Sequence, residues 1–286
     1  MRTDGIFTLR EFIVDGKFDK TLNLVTFGDV HRDSPAHSSH MWQKFCAEMK
    51  GKKDHVFLGM GDYMDSYSTS ERMIMGNPNL HESSRKRDEK DSRGRVDMLA
   101  KELAFARGKT VGLLCGNHFI QYADGTNSDM QLAKKLDTAY LGVCSAIRIV
   151  FKGLHGNAST SVDIFAHHGK GGGQTAGGQL NAVEKLAQIA DADIFLMGDN
   201  HARGAIPIGD KLRIVGSNGK LCIRSRQSWI GRTGSFLKAY EPGEASYVVD
   251  RALRPSNLGW LTFTLTPRRV VEGGHDRITV DIGAIQ

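Results

Sequence analysis

Several short apolar runs in the chain end at residues that can bind a metal ion. The first run, TLNLVTFGDVH, ends with Asp29 and His31, and later runs end in GDYMD, GNH, AHH and GDNH. A hydrophobic strand that delivers a carboxylate and an imidazole is a common start of a metal site. The pattern supplies seven candidate ligands: Asp29, His31, Asp62, Asn117, His167 or His168, Asp199 and His201.

These candidates are all oxygen or imidazole donors, and none is a cysteine. Such a set excludes a thiolate site and suits Mn, Fe or Zn. Ligands gather beyond the carboxyl ends of the strands in an open α/β sheet, so five strand ends would bring these groups together. Seven ligands are too many for one metal but suit two, with Asp62 as the bridging carboxylate. Two such metals clamp a phosphate and lower the pKa of a shared water.

The segments around these strand ends alternate between strand and helix patterns. Helices are predicted at 37–50, 96–107, 128–136 and 179–190, with Ser128 as the N-cap of the third. Residues 6–18 are predicted to form a hairpin or edge strand with Asp15-Gly16 as its turn. The alternation predicts an α/β protein.

Two regions depart from this alternation. Residues 66–95 are polar and basic, with six Lys/Arg against three acids from Arg85 to Arg95, and they predict a lid or insertion with some helix. From about residue 203 onward the pattern becomes β-rich. No linker separates the two parts, so we expect one domain over 1–286, with the β-rich third as a second sheet packed on the first.

Composition narrows the class of protein further. The 286 residues are 40% apolar and 24% charged, as in ordinary globular proteins. No apolar run approaches the ~20 residues that span a bilayer, and the N-terminus lacks the apolar core of a secretory signal. The four scattered cysteines suit reduced thiols. We therefore expect a cytoplasmic protein without a membrane partner.

The net charge of +6 is concentrated in the last third, which carries +7 between Arg203 and Arg277. A basic surface favours polyanionic partners, although a solvated basic face fits equally well. Residues 224–240 interleave four Lys/Arg with Trp229, Phe236 and Tyr240. That mixture suits a nucleic-acid strand through charge and stacking, and it also suits an amphipathic strand pair.

The motifs DVH, GDYMD, GNH, the histidine after DIFA, and GDNH, in this order, resemble those of the calcineurin-like metallophosphoesterases. The resemblance covers residues 29–201. It implies a four-layer α/β/β/α sandwich of two mixed sheets. It also implies that Asp29, His31 and His201 hold one metal, that Asn117 and His167 hold the other, and that Asp62 bridges them.

The resemblance also assigns the acid of the reaction. His118 is similar to the family's histidine that stabilises or protonates the leaving oxygen. Asp65, the second acid of GDYMD, would orient His118 and keep it protonated. Of the histidine doublet, similar family members use the first, so His167 is favoured as the ligand, and His168 would face the substrate or pack in the interior. Lys170, in the glycine-rich loop 169–178, is the other candidate for contacting a phosphate.

Three positions depart from the family pattern. Asp199 stands where a histidine usually binds the second metal, which favours Mn or Mg over Zn or else weakens that site. Phe119 replaces the acid that commonly follows GNH. Ser66 replaces the arginine of the protein phosphatases, which argues against phosphoprotein phosphatase activity.

Together these features predict a two-metal phosphodiesterase, with Mn as the favoured metal and Fe, Zn or Mg as alternatives. We expect it to act on DNA or RNA through a water that bridges the metals. The loop after the histidine doublet and the segment TGSFL are similar to phage and prophage phosphoesterases near the DNA-repair nucleases. Two alternatives stay open, a phosphomonoesterase acting on a small metabolite or phosphoprotein, and a non-catalytic scaffold on the same fold.

Overall fold

The computed structural model describes residues 7–66, 82–169, 175–217, 220–240, 257–272 and 275–286, with a few single positions between them. Within these ranges the chain forms eleven strands. In chain order, β1 to β11 are Phe7–Asp15, Leu22–Phe27, His55–Gly59, Thr110–Leu113, Cys144–Lys152, Thr160–His167, Ile194–Met197, Arg203–Ser217, Lys220–Thr233, Leu261–Glu272 and His275–Ile285.

Within the described residues, four α-helices lie between the strands. They are α1 (Ser39–Met49), α2 (Glu82–Glu102), α3 (Ser128–Lys135) and α4 (Ala176–Glu184), and the last continues into a 3₁₀ turn at Lys185–Gln188. Each short helix starts at a side chain that accepts a hydrogen bond from the first turn, as in α1, where Ser38 accepts from the Met41 amide at 3.4 Å. Among the helices of the described ranges, none is both long and apolar enough to cross a membrane.

The strands form two mixed sheets. Sheet I has the order β1-β5-β6-β7-β9-β8, and sheet II has the order β11-β10-β2-β3-β4. Strands β6, β7 and β9 run parallel in sheet I, as do β2, β3 and β4 in sheet II. The candidate ligands were expected beyond the carboxyl ends of these parallel strands.

The layers follow from where the apolar side chains are buried. One core lies between the sheets and joins residues such as Leu58 and Phe263 of sheet II to Ile164 and Leu196 of sheet I. A second core packs α1, α2 and α3 on the outer face of sheet II, and a third packs α4 on sheet I. The architecture is therefore the four-layer α/β/β/α sandwich of two mixed sheets that the motif resemblance implies.

Several local expectations are met only in part. For residues 6–18 the edge strand is confirmed and the hairpin is wrong, because residues 7–15 form β1 at the edge of sheet I, parallel to β5 far along the chain. The expected helix at 96–107 begins at Glu82, inside the segment predicted to be an insertion, so the described part of that insertion is helical. The rest of it, 67–81, lies outside the described residues. Asn127, and not Ser128, caps α3 by accepting from the Met130 amide at 2.8 Å.

The β-rich third does not make a sheet of its own. Strands β8 and β9 extend sheet I beside β7, and β10 and β11 extend sheet II beside β2. Residues 205–216, which look like two short strands in the sequence, belong to one strand, with an irregularity between Ile208 and Lys211. The C-terminal strands therefore complete both layers of the sandwich.

Candidate metal centre

The candidate ligands sit in sharp turns directly after the strands. Five of the eight non-glycine residues with positive φ in the described ranges belong to this set: Asp29 at 44°, His31 at 43°, Asp62 at 51°, Asp199 at 67° and His201 at 58°. Left-handed backbone costs energy for residues other than glycine and persists where the surrounding structure imposes it, commonly at functional sites. Asp and His tolerate it better than branched residues, which fits the sequence at these turns.

The Asp62 carboxylate lies at the centre of the cluster and is 3% exposed. Its Oδ1 accepts hydrogen bonds from the backbone amides of Asn117 at 2.7 Å and His118 at 2.9 Å. Its Oδ2 faces two imidazoles, with His31 Nε2 at 3.7 Å and His168 Nε2 at 3.4 Å. One oxygen is therefore fixed by the backbone while the other points between two histidines.

Two glycines let the backbone come close enough for this arrangement. A Cβ on Gly116 would lie 2.0 Å from Asp62 Oδ1, and a Cβ on Gly61 would lie 2.4 Å from His168 Nδ1. Gly61 also has φ +101°, a conformation that side chains disfavour. The glycines of GDYMD and GNH are thus required by sterics at the cluster.

One side of Asp62 is formed by Asp29, His31 and His201, whose ligand atoms lie within 4.8 Å of one another. Asp29 is buried, and its carboxylate accepts the Asp199 amide at 3.0 Å. The His31 and His201 rings meet edge to face at 5.5 Å between centroids. The predicted ligands of the first metal are therefore adjacent.

The other side is formed by His168, Asn117 and Asp199. Asp29, Asp62 and His168 make a second group whose ligand atoms lie within 4.8 Å of one another. His168 Nε2 is 3.8 Å from Asp199 Oδ1, and Asn117 Nδ2 donates to the same oxygen at 2.9 Å. Asn117 and Asp199 thus reach the cluster, as predicted from their positions after β4 and β7.

The choice of His167 over His168 needs correction. His168 is 1% exposed, and its Nδ1–H donates to the Met60 carbonyl at 2.7 Å, which aims Nε2 at Asp62. His167 is the last residue of β6, its Nδ1 accepts the Gly169 amide at 2.8 Å, and among the described residues it belongs to none of the groups of adjacent ligand atoms. Of the doublet, His168 is therefore the residue that faces Asp62, and its burial argues against the predicted contact with substrate. Lys170 lies outside the described residues.

Burial and charge shift the pKa values of these groups in opposite directions. Burial raises the pKa of Asp29 to about 7 and lowers that of His201 to about 3. Burial also opposes protonation of His31 and His168. However, the Asp65 and Asp62 carboxylates raise the pKa of His31 to about 9, and Asp62 raises that of His168 to about 10. The carboxylates of the cluster therefore strongly favour a positive charge on the groups beside them.

The cluster fits divalent metal ions on two grounds. The Nε2 atoms of His31 and His168 are buried and lack a hydrogen-bond partner among the described residues, an expensive state unless a ligand occupies the space between them. The donors are carboxylate, amide and imidazole, the mixed set that Mn, Fe and Zn accept. A metal ion bound at the carboxylates would also displace the added proton from the rings of His31 and His168. Both imidazoles would then be neutral, which is the form in which histidine binds metals.

His118 and Asp65 lie at the edge of the cluster. His118 Nδ1 is 2.9 Å from Asp65 Oδ1, and His31 Nδ1 is 3.2 Å from the same oxygen. Burial would raise the pKa of Asp65, but its hydrogen bonds to His118 and His31 hold the pKa well below its usual range. The His118 side chain is 29% exposed, against 4% for His31, so solvent reaches His118. Asp65 thus contacts both the predicted acid and a predicted ligand.

Two further residues support the cluster and were missed in the sequence. Asp33 accepts the Asp65 amide at 2.5 Å and pairs with Arg95 of α2 at 2.6 Å. Arg232 is 1% exposed and donates to the Gly198 carbonyl at 2.6 Å and to the Gln179 carbonyl at 2.9 Å. Burial lowers the pKa of Arg232 to about 10, which leaves it charged at neutral pH. Asp33 follows β2 but lies beyond the DVH motif, and Arg232 lies within β9, so the motifs that identified the other candidates mark neither residue.

The basic segment 224–240 is less suited to base stacking than its sequence indicates. Phe236 is fully buried against Trp42 and Phe45, and Trp229 packs edge to face on Phe263. Of the three aromatic residues in the segment, only Tyr240 is exposed, at 50%. The aromatic side chains of this segment therefore serve mainly the cores.

Comparison with known proteins gives little beyond this geometry. No family model matches the sequence, and no curated protein matches it. Among solved structures, the chain is similar to vacuolar protein sorting 29 from Cryptosporidium parvum, with 14% identity and a TM-score of 0.40 over 93% of this chain and 100% of that chain. A likeness this distant carries no information about the chemistry of the site.

Proposed function

We propose that this chain is a metal-dependent phosphoric ester hydrolase of the calcineurin-like metallophosphoesterase type, acting on a phosphodiester in nucleic acid. The observation that carries the proposal is the Asp62 carboxylate, with Oδ1 fixed by two backbone amides and Oδ2 placed between the unsatisfied Nε2 atoms of His31 and His168. A carboxylate prepared in this way suits the bridging position of a two-metal site.

The residues divide into two ligand sets around Asp62. Asp29, His31 and His201 would hold one ion. The other would be held by His168, Asn117 and Asp199, with Mn favoured because Asp199 supplies a hard oxygen where a histidine is usual. When bound, such ions lower the pKa of a coordinated water and offset the negative charge of the phosphate oxygens.

His118 supplies the proton that the leaving oxygen needs. Asp65 holds His118 Nδ1 at 2.9 Å, so the opposite ring nitrogen, Nε2, is available to donate. His118 is also the more exposed of the cluster's histidines that contact Asp65, which suits a residue that meets an incoming substrate.

The substrate class rests on charge. The last third of the chain carries a net +7 between Arg203 and Arg277, and a basic surface attracts a polyanion. Ser66 stands where the resemblance would place the arginine of a protein phosphatase. Both features favour a nucleic-acid phosphodiester over a phosphoprotein.

A comparison of two chromogenic esters tests the proposal. With Mn²⁺ added, the chain should hydrolyse bis-p-nitrophenyl phosphate in clear preference to p-nitrophenyl phosphate, and should cleave single- or double-stranded DNA. The variants Asp62→Asn and His118→Ala should lose this activity. Preference for the monoester would favour a phosphomonoesterase, and Mn²⁺ binding without hydrolysis of either ester would favour a scaffold. Full activity in both variants would refute the assignment of the centre.

A further inference from the structure

Asp129 is a buried acid that the proposed centre does not use. It lies in the first turn of α3 and is 2% exposed. Its Oδ2 accepts the Gly116 amide at 3.0 Å, and its Oδ1 accepts the Ser128 hydroxyl at 3.2 Å. Among the described residues, neither of these hydrogen bonds comes from a lysine or arginine. A buried carboxylate is costly unless hydrogen bonds satisfy it, so its hydrogen bonds need to account for its presence.

The amide that Asp129 holds belongs to the turn that fixes Asp62. The three successive amides of Gly116, Asn117 and His118 are divided between two carboxylates. The first donates to Asp129, and the next two donate to Asp62 Oδ1. Because peptide groups are planar and share their α-carbons, fixing the first amide restricts the directions of the next two.

The start of α3 is built to hold this acid. Asn127 caps the helix, and a carboxylate in the first turn is favoured by the helix dipole. The segment that follows the turn is tied to the same helix start, because the Ile120 amide donates to Ser128 Oγ at 3.3 Å and the Ser128 amide donates to the Ile120 carbonyl at 3.1 Å. The turn and the helix start therefore form one hydrogen-bonded unit.

We propose that Asp129 is a positioning residue for the metal centre. It holds the Gly116 amide so that the amides of Asn117 and His118 point at Asp62 Oδ1, which leaves Oδ2 directed at His31 and His168. Its effect on hydrolysis rests on the proposed function, but its effect on the turn does not. The role requires a hydrogen-bond acceptor at this position and does not require a negative charge.

Three variants separate this role from ordinary stabilisation. Asp129→Ala removes the acceptor, and Asp129→Asn keeps an oxygen that can accept the Gly116 amide. The control, Leu132→Ala, removes a fully buried side chain of the same helix that packs in the outer core of sheet II. Leu132→Ala should lower stability at least as much as Asp129→Ala, yet it leaves the turn's hydrogen bonds in place.

The first measurement is amide hydrogen exchange by NMR in the metal-free chain. Asp129→Ala should speed exchange at Asn117 and His118 at least about tenfold relative to Leu114, whose amide donates to the Gly59 carbonyl. Asp129→Asn should match the parent, and Leu132→Ala should change all three amides alike. Unchanged exchange in Asp129→Ala, or equal effects of Ala and Asn, would overturn the proposal.

The second measurement is Mn²⁺ affinity by calorimetry. Residues that orient ligands typically change metal affinity by ~10–100-fold, so Asp129→Ala should weaken binding by that factor while Asp129→Asn stays within about threefold. If Leu132→Ala weakens Mn²⁺ binding as much as Asp129→Ala does, the effect of Asp129 is one of general stability and not of positioning. A parent chain that hydrolyses neither ester would refute the proposed function and leave the exchange result standing.

Discussion

The two sides of Asp62 differ in how completely they are assembled. On the first side, Asp29, His31 and His201 form one compact group, and each of Asp29 and His31 has a second partner that fixes it. On the second side, two of the three candidates, Asn117 and Asp199, are hydrogen-bonded to each other at 2.9 Å. The first side is therefore held by groups outside its own ligand set, whereas on the second side an ion would share the Asp199 oxygen with the Asn117 amide.

This difference predicts unequal affinities. A ligand set that is already in place spends less free energy on reorganisation when the ion binds. On the second side, His168 is fixed by the Met60 carbonyl, but Asp199 replaces the histidine expected from the motif resemblance. We therefore expect the ion held by Asp29, His31 and His201 to bind more tightly.

The largest effect should follow from removing the carboxylate that both sides share. Asp62→Asn keeps the size of the side chain and an oxygen for the amides of Asn117 and His118, but it removes the charge between His31 and His168. Hydrolysis should fall by at least about 100- to 1,000-fold, with loss of both ions from the purified chain. Elemental analysis of the purified variant, together with a diester assay, checks this prediction. If the variant keeps both ions, Asp62 is not the carboxylate that the two sides share.

The next effect separates the histidine doublet. His168→Ala should reduce hydrolysis about 100-fold and lower the bound metal from two ions to one. His167→Ala is the matched control and should stay within about threefold of the parent, because its ring contacts the Gly169 amide and, among the described residues, belongs to no group of adjacent ligand atoms. The reverse order of effects would restore His167 as the ligand and contradict the placement of His168.

A smaller effect should come from changing the chemistry of the second side alone. Asp199→His introduces the imidazole that the motif resemblance expects, and it should raise the preference for Zn²⁺ over Mn²⁺ by about tenfold at the weaker site. Asp199→Asn, which adds no imidazole, serves as the control. Competition titrations with the two metals measure the ratio. An equal shift at the tighter site would mean that the two sides are not independent.

The smallest effect on activity should come from Arg232, which lies behind the second side. Replacing it with methionine leaves the Gly198 and Gln179 carbonyls without their donor, at a cost of ~1–3 kcal/mol in the free energy of unfolding. Hydrolysis should fall only about 3- to 10-fold, because Arg232 donates to the Gly198 and Gln179 carbonyls and, among the described residues, to no candidate ligand. Urea denaturation measures the change in the free energy of unfolding. As a control, Arg148→Ala, which removes an exposed ion pair with Asp163, should leave the free energy of unfolding unchanged.

The sequence predicted the clustering of the candidate ligands better than it predicted the bounds and pairing of the helices and strands around them. Asp29, Asp62 and Asp199 each follow an apolar strand, and strand ends in parallel sheets meet at one edge, so their clustering followed from short-range pattern. The doublet at His167 and His168 could not be decided in this way, because one residue of register changes the side of the strand on which a ring lies. One signal was available, since every other candidate lies beyond the last residue of its strand, as His168 does.

The remaining differences come from contacts that are distant in sequence. Strand β1 pairs with β5 more than 130 residues away, which no local pattern at 6–18 could indicate. The supporting residues Asp129 and Arg232 act through backbone groups of other turns, so neither spacing nor residue type marks them. Local patterns therefore identify the residues that cluster beyond the strand ends, whereas the residues that contact the backbone of those turns can be identified only from the tertiary structure.

The most direct test is calorimetric titration of the metal-free chain with Mn²⁺. Two binding events per chain are expected, with the first at least about tenfold tighter than the second, and both should be lost or strongly weakened in Asp62→Asn. Binding of one ion or none, or two equal events that survive in Asp62→Asn, would contradict a two-metal centre bridged by Asp62.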